Sequence, residues 1–326
     1  MRGQSAPMKD TSNIAGRSRS AIASGLRAGL GTALFLMKIM VPVSLAVALL
    51  KWSGALTWAA RFLAPAMGIV GLPGEAALVL LSSMLLNVYS AIAVIGTLPL
   101  TMREITILAI MCLTAHNLPI ETAVMKKSGS SATKMVIMRI GWAIALAFVF
   151  NRILPAGQAL AVKAAGAGAS TAGFWPMLSA WGLSTLRLVV KIFVLVLAIM
   201  VGQRLMEEFH IMDFLSRLAA PVMRVFGLSE SASFLWIVIN IVGYAYGAAI
   251  IMERVKDGKM KPQEADLFNH HACLCHSLLE DTSLFLAIGV PLFWISVPRL
   301  GLAFLVVWFE RFRRRRFRKS FKIGTV

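Results

Sequence analysis

Residues 62–72 read Phe62-Leu63-Ala64-Pro65-Ala66-Met67-Gly68-Ile69-Val70-Gly71-Leu72, and residues 218–228 read Leu218-Ala219-Ala220-Pro221-Val222-Met223-Arg224-Val225-Phe226-Gly227-Leu228. Pro65 aligns with Pro221 and Gly71 with Gly227 without a gap, so the chain reads as two copies of one unit. Apolar helices match one another easily by chance, but here the polar residues are duplicated too. Upstream, Lys38-Ile39 pairs with Lys191-Ile192. Downstream, Glu104 pairs with Glu264, and His116-Asn117-Leu118-Pro119-Ile120-Glu121-Thr122 pairs with His276-Ser277-Leu278-Leu279-Glu280-Asp281-Thr282, once an insertion in the Arg254 loop is allowed for.

The flanking composition gives the solvent. Of 326 residues, 58% are hydrophobic and 15% charged, with mean hydropathy +0.76; an ordinary soluble domain carries about 25% charged residues. Apolar windows of about 20 residues recur, each long enough to cross a hydrocarbon layer about 30 Å thick. Clear spans are expected at 28–50, 75–97, 104–125, 135–155, 183–203, 232–252, 264–287 and 290–309. Two shorter stretches, 55–71 with Arg61 and 211–227 with Asp213, Arg217 and Arg224, are open to crossing, lying flat or re-entering. Cys112, Cys273 and Cys275 all fall in apolar segments, so no disulfide framework is expected.

The net charge of +18 is concentrated where it sets topology. Arg2, Lys9, Arg17, Arg19 and Arg27 precede the first span, and Arg311 to Lys322 follow the last. Loop 126–139, with Lys126, Lys127, Lys134 and Arg139, and loop 253–262, with Arg254, Lys256, Lys259 and Lys261, are likewise expected to be cytoplasmic. The Ala/Gly-rich linker 156–182 holds only Lys163 and is expected outside. Ten crossings satisfy all of these assignments, whereas eight crossings with two interfacial helices leave a basic loop on the wrong side. The division is then a basic cytoplasmic tail 1–27, a first repeat 28–155, the linker 156–182, a second repeat 183–309 and a basic cytoplasmic tail 310–326. About five segments per repeat is an odd number, so the copies insert with opposite orientation. The expected fold is an all-α, polytopic transmembrane helical bundle of two inverted-topology repeats, a common plan of secondary transporters.

The stretch Ala115-His116-Asn117-Leu118-Pro119-Ile120-Glu121-Thr122 resembles the nucleoside recognition, or Gate, domain family of bacterial membrane proteins. The first half resembles an A-type spore maturation protein and the second its B-type partner, as though fused, over about 28–310. The resemblance implies a multi-pass protein of the bacterial inner membrane, related to the gates of nucleoside carriers and of the bacterial ferrous iron transporter. It does not imply a nucleoside ligand. No G-x-x-x-x-G-K-[ST] motif is present, so a GTP-driven mechanism is not expected.

Several polar residues inside apolar segments are candidates for chemistry. Lys38 and Lys191 lie at mid-span, where a lysine costs on the order of 3 kcal/mol and needs a partner or a wet cavity; Glu121 and Asp281 are the expected counter-charges. His116 and His276 each precede one of these carboxylates by five positions, which an unbroken helix would place about 140° apart. A helix break near Pro119 would bring them together. Thr101 and Glu104 fit a capping box, and Pro262 a first-turn proline. Cys273, His276 and Glu280 would share one helical face and could hold a divalent metal ion. Asn87 and Tyr244 are expected substrate contacts.

The expected function is a secondary carrier moving a small molecule or ion by alternating access, with Lys38, Asn87, His116, Glu121, Lys191, Tyr244, His276 and Asp281 in the site and no enzymatic activity. A non-transporting maturation or assembly factor, or a divalent-metal-dependent membrane protein using the Cys273/His276 face, are the alternatives. The expected surroundings are the lipid bilayer and the solute, with monomer and homodimer both open. The Arg311 to Arg318 run reads as a cytoplasmic anchor, and no nucleic acid partner is expected.

Overall fold

The computed structural model describes residues 14–155 and 173–323. The start of the expected N-terminal tail, most of the 156–182 linker and residues 324–326 lie outside the described residues. Among the described residues there are fourteen α-helices and no strand. They form two sets of seven in the same order. The first set is α1 Ile14–Trp52, α2 Ala55–Ile69, α3 Ala76–Leu85, α4 Val88–Ile95, α5 Met102–Ala115, α6 Leu118–Lys127 and α7 Ala132–Ile153. The second is α8 Phe174–Glu208, α9 Ile211–Val225, α10 Ser233–Ile241, α11 Tyr244–Lys256, α12 Pro262–Ala272, α13 Glu280–Ala287 and α14 Leu292–Ile323. The molecule is a polytopic helical bundle.

The equivalent helices α1 and α8 pack along their length, and their register fixes the relation of the halves. Arg17 pairs with Glu208 at 2.7 Å, Trp181 Nε1 donates to Ser44 Oγ at 3.3 Å, and Trp52 meets Phe174 with ring centroids 5.4 Å apart. Numbers rise along α1 as they fall along α8, so equivalent helices are antiparallel and the repeats are inverted. Glycines permit the approach: a Cβ on Gly25 would lie 2.7 Å from Val201 Cα.

Among the described residues, five helical stretches are long and apolar enough to cross a membrane: Ile14–Trp52, Met102–Lys127 (α5 with α6), Ala132–Ile153, Phe174–Glu208 and Leu292–Arg316. The helix expected from residue 28 is already formed at Ile14, because the Arg/Ser-rich stretch 14–27 contains no proline to break it. The counterpart of Met102–Lys127 is α12 with α13, interrupted over residues 273–279. It still runs the length of α14: Arg314 Nη1 donates to Gln263 O at 2.9 Å where α12 begins, and α13 ends just before α14 starts.

The spans expected at 75–97 and 232–252 are hairpins instead. Ile69 and Arg103 both bond the C-terminal end of α7, through Asn151 Nδ2 to Ile69 O and Arg103 Nη2 to Asn151 O. The chain therefore enters α3 and leaves α4 at the same end of the bundle, and α3 packs on α4. At 10 and 8 residues these helices are about 15 and 12 Å long, half a bilayer. Asn87 makes the turn, its Oδ1 accepting from Ser90 N at 2.9 Å to cap α4. Gly243, at φ +110°, turns the second hairpin. A hydropathy window cannot tell two half-length apolar helices from one full-length helix.

The stretches 55–71 and 211–227 lie flat. Lys51, just before α2, donates to Thr97 O at 3.2 Å, and α2 ends at Asn151, so both ends of α2 share one end of the bundle. Each flat helix buries one narrow stripe, Leu56, Ala60 and Met67 or Met212, Ala219 and Met223, and turns large apolar side chains such as Phe62 and Phe214 outward, as an interfacial helix does. Each half thus has five segments of which three run the length of the bundle, and three is also odd. The basic loops still fall together: Ser130 Oγ donates to Asp266 Oδ1 at 2.6 Å and Lys134 pairs with Glu310 at 3.0 Å, gathering both basic loops and the end of α14 at one end.

Candidate functional site

The sites of interruption meet at the centre. Proline at position 119 cannot donate a backbone hydrogen bond, and the helix breaks just before it, at Asn117 (φ +47°). Ser277, its equivalent, has φ +50°. Each break is tied to a hairpin tip: Asn117 N donates to Ser83 O at 2.8 Å and Ser277 N to Ile239 O at 3.0 Å. Two broken helices and two hairpin tips, one pair from each half, therefore close on the same point. Irregular backbone of this kind persists at membrane depth only where protein or a wet cavity satisfies it.

The breaks bring the His and carboxylate side chains together. His116 Nε2 lies 3.0 Å from Glu121 Oε1 and 3.3 Å from Asp281 Oδ2. His276 Nε2 lies 3.3 Å from Glu121 Oε1 and 3.2 Å from His116 Nε2. All four residues are buried. Each histidine directs Nδ1 at a backbone carbonyl one turn earlier, Cys112 O at 3.0 Å or Ala272 O at 2.6 Å, so the two rings are held alike.

The cations beside the cluster are arginines, not the expected lysines, and Arg139 is the counter-charge of Glu121. Arg139 and Arg299 are fully buried. Arg139 Nη1 donates to Glu121 Oε2 at 2.7 Å and its Nε to Thr114 O at 2.9 Å. Arg299 Nη2 donates to His276 O at 2.7 Å and its Nε to Leu274 O at 3.3 Å. Each guanidinium occupies the carbonyl end of a broken helix, where C=O groups lack helical partners and carry the negative end of the dipole. Arg139 and Arg299 stand at the same spacing as the paired histidines, so the repeat was the signal that could have identified them. Arg139 instead reads as a loop charge, and Arg299 follows a proline near the start of a span.

Lys38 is exposed on α1. That helix buries Leu36 and Met40, and Lys38, two positions from each, faces the opposite way. Lys191 lines a separate cavity of about 350 Å³, and its ammonium donates to Ala287 O at the end of α13. The expected pairs of these lysines with Glu121 and Asp281 do not form. Cys273, His276 and Glu280 do not meet either, since the continuous helix that would align them breaks between residues 273 and 279. Cys273 Sγ donates to His270 O at 3.3 Å, and Glu280 accepts from Tyr89 OH at 2.6 Å. Tyr244 OH donates to Asn269 Oδ1 at 2.8 Å, with its ring centroid 5.5 Å from that of His276.

A cavity of about 560 Å³ opens onto the cluster. Its wall includes Asn87, Tyr244, His116, Glu121 and Asp281, together with Glu280. The last turns of α8, Met200 to Glu207, complete it. Carboxylates outnumber cations on this surface, which therefore suits a cationic or donor-rich guest.

The family model for the Gate domain, described as nucleoside recognition, matches residues 33–131. The uncharacterised membrane protein YvoD of Bacillus subtilis is 32% identical over 285 residues, covering 87% of this chain and 91% of its own. No solved structure matches the chain.

Proposed function

This chain belongs to the Gate, or nucleoside recognition, family of membrane proteins, and we propose that it is a carrier that moves a small polar solute through the shared centre of its two inverted repeats. One observation carries this reading: the two halves contribute equivalent, buried, ionisable side chains to a single cluster at the floor of a one-sided cavity. The last turns of α8 line that cavity, while the corresponding turns at the end of α1 are not part of its wall. Inverted repeats make the mirror arrangement, with α1 forming the wall, of comparable energy, and exchange between the two is alternating access. The hairpin tips and breaks supply unpaired backbone groups and helix ends at the depth where a solute is handed over. The end bearing the basic loops is the cytoplasmic one by the positive-inside rule, which makes the cavity inward-facing, with both termini inside.

Purified protein in liposomes is expected to give saturable uptake of at least one member of a panel of nucleosides, nucleobases, organic anions and divalent cations. Glu121→Gln is expected to lower that flux at least about tenfold, because the carboxylate both faces the guest and neutralises Arg139. Correctly inserted wild-type protein that moves no member of the panel would overturn the carrier reading.

A further inference from the structure

We infer that His116, His276 and Glu121, with Asp281 beside His116, form a binding site for a first-row divalent transition cation, of which Zn²⁺ is the type. This inference rests on the carrier reading only in taking the ion as cargo; the site itself stands on geometry.

A carbonyl oxygen only accepts hydrogen bonds, so each histidine donates from Nδ1, to Cys112 O or Ala272 O. In a neutral imidazole the lone pair is then on Nε2. Both Nε2 atoms point at one another and at Glu121 Oε1, and His116 Nε2 points at Asp281 Oδ2 as well, at 3.0 to 3.3 Å. In that state three acceptor atoms, all within 4.8 Å of one another, converge with no donor among them, and Asp281 Oδ2 stands 3.3 Å from His116 Nε2. A single proton on His116 Nε2 still leaves His276 Nε2 opposed to Glu121 Oε1 at 3.3 Å, whereas a cation at the centre satisfies all three.

The spacing suits such an ion. Ligands about 2.0–2.1 Å from a tetrahedral centre stand about 3.3–3.4 Å apart, close to the separations observed. The surroundings fit as well: ligating histidines characteristically donate their second N–H to a carbonyl, and a ligating carboxylate is held by an outer partner, here Arg139 on Glu121 Oε2 at 2.7 Å. Two nitrogens and a carboxylate oxygen favour Zn²⁺ and its neighbours over Ca²⁺ or Mg²⁺, which take oxygen ligands. The approach is provided by the cavity, whose wall carries Glu280 near the cluster and, farther out, Glu207 paired with Arg204 at 2.8 Å.

The test is titration of the full-length, metal-stripped protein in detergent with Co²⁺, followed by visible absorption, with Zn²⁺ competition. The expected result is one Co²⁺ per chain with intense tetrahedral bands that Zn²⁺ abolishes and Mg²⁺ leaves intact. His276→Gln and Glu121→Gln, each checked for monodisperse elution, are expected to weaken binding more than the roughly 10–100-fold that loss of an outer-shell partner costs. Cys273→Ala is expected to bind as wild type. Wild-type protein that takes up no stoichiometric Co²⁺, or whose bands survive both ligand substitutions, would overturn the site, including a site occupied by protons alone. Flux assays separate the two readings: metal binding without flux of any solute removes the carrier and leaves the site, and flux of an organic solute without metal binding does the reverse.

Discussion

Arg139→Met is expected to destabilise the protein by about 3–5 kcal/mol, the cost of leaving one member of a buried ion pair without its partner. Glu121 keeps its position at the helix break after the substitution, but its Oε2 loses the 2.7 Å contact and the cluster loses a full positive charge. Thr114 O at the end of α5 is uncapped in the same step. Denaturant unfolding of the purified protein in detergent, followed by circular dichroism, reads the loss directly. Because most of the penalty is the stranded carboxylate, Arg139→Met combined with Glu121→Gln is expected to recover a large part of it. A change below about 1 kcal/mol for the single variant, the range of an exposed pair, would show that the guanidinium is not buried against Glu121.

Arg299→Met tests the same device in the second half, where no carboxylate is stranded. Arg299 binds Leu274 O and His276 O, and its Nη1 lies 3.5 Å from Thr282 Oγ1. Its loss leaves two buried carbonyls unsatisfied, each worth about 1–3 kcal/mol, so the expected cost is about 2–6 kcal/mol. Here Glu121→Gln is expected to give no recovery, because Glu121 is paired with the other arginine. Arg299→Lys is expected to restore part of the stability, since an ammonium reaches one carbonyl but not both. A second-half variant rescued by Glu121→Gln would mean that the two arginines share the carboxylate and that the capping role is wrong.

Much of the architecture was legible because it is written in periodic or duplicated residues. The paired Pro65/Pro221 and His116/His276 gave the repeat, and the odd segment number gave its inversion. Thr101 and Glu104 form the capping box that their spacing suggests, with Thr101 N donating to Glu104 Oε2 at 2.6 Å. Pro119 located the break that lets Glu121 turn back onto His116.

What hydropathy could not convey was direction. The apolar runs through Asn87 and Gly243 have the composition of a span, but a turn in the middle of each, capped by Asn87 in the first and made at Gly243 in the second, folds it into a hairpin. Crossings were therefore overcounted while the inversion survived. Lys38 illustrates a second limit. Depth along a helix is readable from the sequence, but facing depends on which stripe packs, and the stripe of Leu36 and Met40 turns Lys38 away. Arg139 was hidden by its closeness to a basic loop, where charge has a sufficient topological explanation.

The account depends on equivalent elements running in opposite directions through the bilayer, so that one layer of ionisable residues is assembled from both halves. Sidedness of single cysteines in a background lacking Cys112, Cys273 and Cys275 tests this most directly. Lys127→Cys and Lys259→Cys are expected to react with a membrane-impermeant maleimide from the cytoplasmic side, and Gly289→Cys, in the loop equivalent to the one after Lys127, only from the other side. Labelling of positions 127 and 289 from the same side would contradict the inverted arrangement and the shared site built on it.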